Sequence, residues 1–343
     1  MRVMVAMSGG VDSSVAAAML AEEGHEVTGV TLRLWGGISD SGCCSVGDVE
    51  DARRVAAQLD LPHYVFDYSD EFDEHVVSPY VRAYAEGRTP NPCVACNQHL
   101  KFGRLLERAD LLGFDALATG HHARVRTDAD GTVHLVRAAD AAKDQSYVLV
   151  GLGQPELRRL RFPVGELTKA DVRARAAALG LRTAHKPESM DVCFVARRDR
   201  VEFVESRVGA APGPILDVDG RELGRHDGVA RFTIGQRRGL GVAAGERQYV
   251  VDVDAARHTV TVGPPEALLR DSVMVDALTF THTAPPPGTV LHAQLRAHGA
   301  PVPARLQHDR IEFLVPTPRV APGQVVALYD GDVLVGGGVA SHL

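Results

Sequence analysis

Short apolar runs of strand length alternate with helical stretches through the first half of the 343-residue chain. Residues 3–6 form one such run. Residues 15–23 are rich in strong helix formers and close at Gly24, a residue suited to the left-handed position past a helix end. Residues 26–32 and 62–67 read as further strands, and residues 46–59, 68–86 and 100–112 as helices. Residues 116–120 read as a buried strand that ends at His121 and His122. Strand and helix in alternation predict an α/β fold, a parallel sheet with helices on both faces. Ligands in such sheets bind beyond the carboxyl ends of the strands. Ser8, Leu32 and Gly120 sit at such ends, so one crevice would collect them. Residues 151–181 read as helical and basic, with Arg158, Arg159, Arg161, Lys169, Arg173 and Arg175 followed by Arg182. A solvated helix face and an RNA-facing surface both fit that run.

Helical patterning stops near residue 210, at the breaker cluster Ala211-Pro212-Gly213-Pro214. Short strand-like runs follow at residues 249–253, 259–262, 310–313 and 325–328. They predict two small β-rich modules joined near residue 270, the second a barrel. The expected division is a first domain over residues 1–205, a central β-rich domain over 206–270 and a C-terminal β-barrel over 271–343.

Composition changes this picture little. Hydrophobic residues make up 45% of the chain and charged ones 24%, as in ordinary soluble proteins. There is no apolar run long enough for a bilayer and no charged-then-apolar leader, so a cytoplasmic protein with no membrane partner, active as a monomer, is expected. The net charge of −7 weighs against a nucleic-acid partner without excluding a local basic patch. The five cysteines, Cys43, Cys44, Cys93, Cys96 and Cys193, are too few for a disulfide framework in a chain of this size.

Three stretches carry candidate chemistry. At residues 7–14 a glycine pair stands where a buried strand turns into a helix. Backbone N–H groups there form an anion nest at the positive end of the helix dipole, with Ser13 and Ser14 as added donors. An ordinary turn fits the glycine spacing too, while a Walker A loop and a dinucleotide fingerprint do not. At residues 87–97 two prolines stiffen the chain ahead of Cys93-Val94-Ala95-Cys96, a spacing shared by thiol couples and metal sites. Cys193 lies in an apolar run, where an inert buried thiol is the commoner case.

The string Ser-Gly-Gly-Val-Asp-Ser-Ser at residues 8–14 resembles the signature of the ATP pyrophosphatase (PP-loop) superfamily, which cleaves ATP to AMP and pyrophosphate to activate a carbonyl oxygen. Further motifs follow in order. They are Asn91-Pro92 with Cys96-Asn97, Ala118-Thr119-Gly120-His121, Lys143-Asp144-Gln145-Ser146-Tyr147 and Phe162-Pro163-Val164-Gly165-Glu166-Leu167. Beyond these come the Cys193 segment, residues 233–240, Ala321-Pro322-Gly323-Gln324 and Gly336-Gly337-Gly338. Together they make the chain similar, over nearly its whole length, to the tRNA-specific 2-thiouridylases, which put sulfur on position 2 of the wobble uridine (position 34).

The resemblance implies an N-terminal parallel-sheet PP-loop domain of the adenine nucleotide alpha hydrolase type. It implies that Ala6, Met7, Ser8, Gly9, Gly10, Val11, Asp12 and Ser13 hold the ATP phosphates, with Leu32 and Gly120 near the adenosine. Cys193 matches the cysteine that receives a persulfide, and Cys96 its nucleophilic partner, so that sulfur release leaves a Cys96–Cys193 disulfide. Asn91, Pro92 and Cys93 fall where the family meets the target base, and His121, Lys143, Asp144, Gln145 and Gln324 at tRNA contacts. ATP and Mg²⁺ are the implied cofactors. The implied partners are a tRNA of the Lys, Glu or Gln type and a sulfur donor such as a cysteine desulfurase or a sulfur-relay protein. The chain departs from the family pattern in two places. Cys93 stands where some members have Asp, so Cys93, Cys96 and Cys193 are also candidate ligands of an iron–sulfur cluster. Arg296-Ala297-His298 stands where Arg-Tyr-Arg is common. Competing readings are another PP-loop enzyme, such as an amidotransferase-type ligase or a different tRNA-modifying sulfurtransferase, an iron–sulfur-dependent version of the same reaction, and a metal-binding RNA adaptor without turnover.

Overall fold

The computed structural model describes residues 1–34, 46–187, 192–195, 199–242 and 246–341. Its first sheet uses β1 (Arg2–Ala6), β2 (Glu26–Arg33), β3 (His63–Asp67) and β4 (Ala116–Thr119). A hairpin of β5 (Ala123–Thr127) and β6 (Val133–Arg137) comes next in the chain, and β7 (Leu160–Arg161) completes the first sheet. The parallel order is β3-β2-β1-β4-β7. Alternation along the strands divides the core in two. Val3 and Val5 of β1, with Ala116 and Ala118 of β4, face α1 (Val11–Glu22), α2 (Val46–Gln58) and the helix Lys169–Ala178. Met4 and Leu117 face the opposite layer, which contains the helix Ser78–Ala85 and the helical stretch that begins at Pro92. The buried residues of helix α1 are small or medium-sized, mostly Val, Ala and Ser, so it packs close to the sheet. It ends with Gly24 at φ +80°, as its sequence predicts.

The helical stretch beginning at Pro92 is longer and less regular than residues 100–112 suggest. It opens as Pro92–Ala95, continues as a π-helix over Cys96–Arg104 and ends as Leu105–Leu111. A second π-helical stretch, Asp73–Val77, interrupts residues 69–85. The two meet at His75 and His99, whose rings stack with centroids 5.0 Å apart. Residues 151–181 are also more broken than their pattern predicts. Two helices, Gln154–Arg159 and Lys169–Ala178, flank β7 and a single turn at Pro163–Glu166.

The central module is a four-stranded sheet of β8 (Gly213–Leu216), β9 (Glu222–His226), β10 (Tyr249–Asp254) and β11 (Thr259–Gly263), with Ile215, Phe232, Val250, Val260 and Val262 as its core. The C-terminal strands are β12 (Leu269–Phe280), β13 (Val290–Gln294), β14 (Val302–Gln307), β15 (Arg310–Pro318), β16 (Val325–Asp330) and β17 (Val333–Ala340). They run antiparallel in the order β12-β15-β14-β13-β16-β17, and a β12–β17 pairing closes them into a barrel.

The barrel is joined to the first domain through β17. Its first residues pair with β6 (Leu334 opposite Leu135) and its later ones with β12 (Ala340 opposite Val275). Sequence reading misses the β5–β6 hairpin, although Asp130-Gly131 at its tip is a recognised turn signal. Polar bonds seal the seam. The Tyr147 hydroxyl donates to the Val325 carbonyl at 2.7 Å, and Ser146 Oγ lies 3.0 Å from the Tyr329 hydroxyl. Arg137 stacks on the Tyr329 ring at 3.6 Å while donating to Asp144 at 2.7 Å and to Gln294 Oε1 at 2.8 Å.

Candidate active site

The turn after β1 lies where the strand order reverses, between β1 and β4, the expected place for a ligand in an open parallel sheet. Its root is stitched to β2, since Met7 N–H donates to the Val30 carbonyl and Thr31 Oγ1 donates to the Met7 carbonyl. Gly9 has φ +70°, and a Cβ there would collide with the Asp48 carbonyl of α2. Gly10 is the N-cap of α1. Ser13 Oγ accepts from the Ser8 amide at 3.2 Å, and the Ser13 and Ser14 hydroxyls both donate to the Gly10 carbonyl. From the β4 side, a Cβ on Gly120 would stand 2.5 Å from the Ser13 amide nitrogen, so only glycine lets the two strand ends approach. Leu32 is buried at the end of β2. Residues 6–13, Leu32 and Gly120 therefore meet at the carboxyl ends of three adjacent strands.

Two lysines that sequence reading did not single out converge on this turn. Lys169, first residue of its helix, places Nζ 2.6 and 2.7 Å from the two carboxylate oxygens of Asp12. His122 Nε2 lies 3.1 Å from the same carboxylate. Burial pushes the Asp12 carboxyl up, but the bonds from His122 and Lys169 outweigh it and hold the group below its ordinary 3.8. Lys186 Nζ donates to the Gly9 carbonyl at 3.0 Å, to Asp48 at 2.6 Å and to Asp51 at 2.7 Å. Arg182 also pairs with Asp51, and Arg173 holds the Ala184 and Lys186 carbonyls. Arg159 caps the Phe114 and Asp115 carbonyls, and Arg175 pairs with Glu22. Several side chains of the basic run between residues 158 and 182 therefore have partners within the domain.

The thiols belong to the opposite layer. Asn91 caps the helix at Pro92, its side chain accepting the Cys93 amide at 3.0 Å. Cys93 and Cys193 are half-buried, whereas Cys96 is buried. Cys96 and Phe194 lie in one apolar cluster, with Cys193 packed at its edge. Phe194 touches Phe72, Tyr80 and Phe203 with ring centroids 5.2 to 5.6 Å apart. Burial and Tyr84 push the Tyr80 phenol far up, and Cys93 is close enough to add to that shift. Cys96 and Cys193 thus belong to one apolar cluster, and no disulfide joins the three cysteines. Among the described residues no three His, Cys, Asp or Glu side chains converge as a metal-ligand set, these cysteines included. Cys43 and Cys44 lie outside the described residues.

The residues matched to tRNA contacts separate into two groups. Gln324 donates from Nε2 to the Thr89 carbonyl at 2.6 Å, and Thr89 N–H donates to the Pro322 carbonyl at 2.7 Å. The barrel thus braces the loop that leads into Asn91 and Pro92. Gln145 is exposed, accepts the His122 amide at 2.9 Å and lies beside half-buried Lys143. Asp144 and His121 face inward. Asp144 accepts from Arg137, the Ser146 hydroxyl and the Ala138 amide, which makes it part of the interdomain seam. His121 is buried against Phe102 and Phe162 with Nδ1 2.7 Å from Thr119 Oγ1, and burial drives its pKa well below the ordinary 6.5.

Three family models match consecutive parts of the chain: a tRNA methyl transferase HUP domain over residues 1–197, a tRNA methyl transferase PRC-barrel domain over 201–264 and an aminomethyltransferase beta-barrel domain over 270–340. A tRNA-specific 2-thiouridylase of Roseiflexus sp. is 50% identical over 367 residues, covering 98% of this chain and 98% of that protein. Its counterpart in Chloroflexus aggregans is 50% identical over 98% of this chain and 97% of its own length, and that of Geotalea uraniireducens is 47% identical over 99% and 95%. With this identity along nearly the full length, and with the glycine turn and the paired thiols in one fold, the chain belongs to the tRNA-specific 2-thiouridylase family.

Proposed function

We propose that this chain replaces the C2 oxygen of the wobble uridine of a tRNA by sulfur, using ATP to activate that oxygen and a persulfide on Cys193 to deliver the sulfur. The observation that carries the reading is a glycine turn at the strand crossover in the same domain as Cys96 and Cys193, which share one apolar cluster on the other side of the same sheet. Uridine O2 is a poor leaving group, whereas AMP departs readily, so adenylation precedes sulfur attack. The amides after Gly9 and the Ser8 and Ser13 hydroxyls would bind the phosphates. Lys169 beside them would balance negative charge as the α–β phosphate bond breaks. A Mg²⁺ ion characteristically takes one or two carboxylates together with substrate phosphates, and Asp12 is the carboxylate placed to hold it. Bound there, it would neutralise phosphate charge.

The terminal sulfur of the Cys193 persulfide attacks C2 and AMP leaves. The Cys96 thiolate then attacks Cys193 Sγ, which releases the thiocarbonyl and leaves a Cys96–Cys193 disulfide. The substrate is a tRNA, as the names of the relatives suggest; the wobble uridine would be its target and a persulfide-carrying protein the sulfur source. Incubation with ATP, Mg²⁺, a sulfur donor and such a tRNA should yield pyrophosphate and 2-thiouridine in equal amounts. Pyrophosphate release that ignores tRNA, or that requires an amino acid instead, would overturn the reading.

A further inference from the structure

The proposed reaction leaves the sulfur carrier oxidised after every turnover, and the third thiol is placed to reset it. Cys93 and Cys96 are three residues apart on the first turn of one helical segment, so both point to the same side of it. Side chains at this spacing have Cβ atoms about 5–6 Å apart, whereas a disulfide requires roughly 3.5–4.5 Å. Closing the gap means tightening a single turn by about 1–2 Å. The place for it is favourable. The first turn of a helix has amides without intrahelical partners, here capped by Asn91, and the backbone passes from α to π geometry at Cys96 itself. Access is graded as well: Cys96 is buried, while Cys93 is half-exposed. The Tyr80 ring packs edge-on against Phe194, the residue after Cys193, with centroids 5.2 Å apart.

Resting on the function proposed above, we propose that Cys93 is a resolving thiol that moves the Cys96–Cys193 disulfide to a Cys93–Cys96 bridge and so frees Cys193 for its next sulfur atom. The Cys93 thiolate attacks Cys96 Sγ, a Cys93–Cys96 bond forms, the Cys96–Cys193 bond breaks, and Cys193 leaves as a thiolate. No net oxidation occurs in this exchange. A thioredoxin-like dithiol then reduces the accessible bridge with two electrons and becomes a disulfide itself. The oxidising equivalent comes from the sulfane sulfur, which leaves on the uridine at the thiocarbonyl level. Where Asp occupies this position, that internal exchange has no thiol to perform it, which gives a chemical meaning to the departure at Cys93.

The test is a disulfide map. Enzyme loaded with polysulfide completes one turnover on a wobble-uridine tRNA with ATP and Mg²⁺, is quenched with an alkylating agent and is then digested for peptide mass analysis. Most of the wild-type protein should carry a Cys93–Cys96 bridge with Cys193 alkylated, whereas Cys93→Ser should retain the Cys96–Cys193 bridge. In steady state with a thioredoxin-like reductant, the Cys93→Ser rate divided by that variant's own first-turnover yield should fall at least tenfold below the wild-type ratio. Dithiothreitol, small enough to reach the buried bridge, should narrow the gap. A wild-type map containing only Cys96–Cys193 would overturn the inference alone, without any variant, as would an unchanged ratio for Cys93→Ser. Stoichiometric iron and acid-labile sulfide with Cys93 protected from alkylation would also overturn it. Absence of thiolation by the wild type, or thiolation by Cys193→Ser, would overturn the functional reading and this inference with it.

Discussion

The two halves of the crevice are built by different forces. At the nucleotide end, charge does the positioning: Lys169 and His122 grip Asp12, and Lys186 ties the Gly9 carbonyl to Asp48 and Asp51. At the thiol end, packing does it. Cys96 and Cys193 share an apolar cluster with Phe72, Tyr80, Phe194 and Phe203, and the loop before Cys96 is braced by the barrel through Gln324. A charge-built site responds to pH, to salt and to an arriving polyanion. A packed site responds to volume. On the function proposed above, the arrangement suits the order of events, because the end that would reorganise around phosphates is the one whose bonds are electrostatic.

The largest break in this contrast should come from the thiol end. Cys193→Ser should reduce 2-thiouridine formation more than 100-fold while ATP-dependent adenylation of the tRNA, followed by pyrophosphate release, continues. Asp12→Asn should give the next effect. It removes the negative charge that Lys169 and His122 hold and one of its two acceptor oxygens, so kcat/KM for ATP should fall ten- to a hundredfold, with about 1.5–3 kcal/mol lost in urea unfolding as the charge-assisted bonds go. Lys186→Met should raise the KM for ATP several-fold with a smaller change in kcat, because it loosens the loop without touching the thiols. Equal losses in sulfur transfer from preformed adenylate would show that the two ends are not separable.

The nucleotide side of the first domain also has a pH signature. The folded pKa of His121 lies below its ordinary 6.5 because the ring is buried, so the unfolded chain binds the proton first. Its stabilising contribution is complete above pH 6.5 and is lost as pH falls from there toward the folded value. His63 and His226 are shifted the same way, so His121→Gln should flatten only part of the decline in urea midpoint between pH 7 and 5. Asp12 acts in the same sense, but only as pH falls below its ordinary 3.8. The smallest effect belongs to the seam. Tyr147→Phe removes one hydrogen bond to Val325, should cost about 1 kcal/mol, and should leave the KM for ATP in place.

Local signals in the sequence are strong where structure is local. Strand β1, the glycine turn and α1 lie within residues 2–22, and their apolar runs and caps state the fold directly. The meeting of β1, β2 and β4 at one crevice follows from alternation alone. Lys169 and Lys186 escape such reading because their partners lie 157 and 177 residues away, and nothing near them marks a lysine as inward-facing. Asp144 shows the same limit of local reading. Its motif resembles a tRNA contact, while its carboxylate is taken by Arg137 and Ser146. The β5–β6 hairpin announces its turn, but its pairing with β17 is a match between strands roughly 200 residues apart, which no local period encodes.

One strand carries the mechanical continuity of the molecule. Because β17 both closes the barrel on β12 and holds β6 of the first domain, the barrel cannot open along that strand without also releasing the hairpin. Hydrogen exchange should therefore find the amides of β6 and β17 protected to the same degree and released together, one foldon spanning two domains. Loss of the last strand would then be felt, through the shared ladder and the Gln324 brace, at Asn91, before any residue of the nucleotide turn had moved.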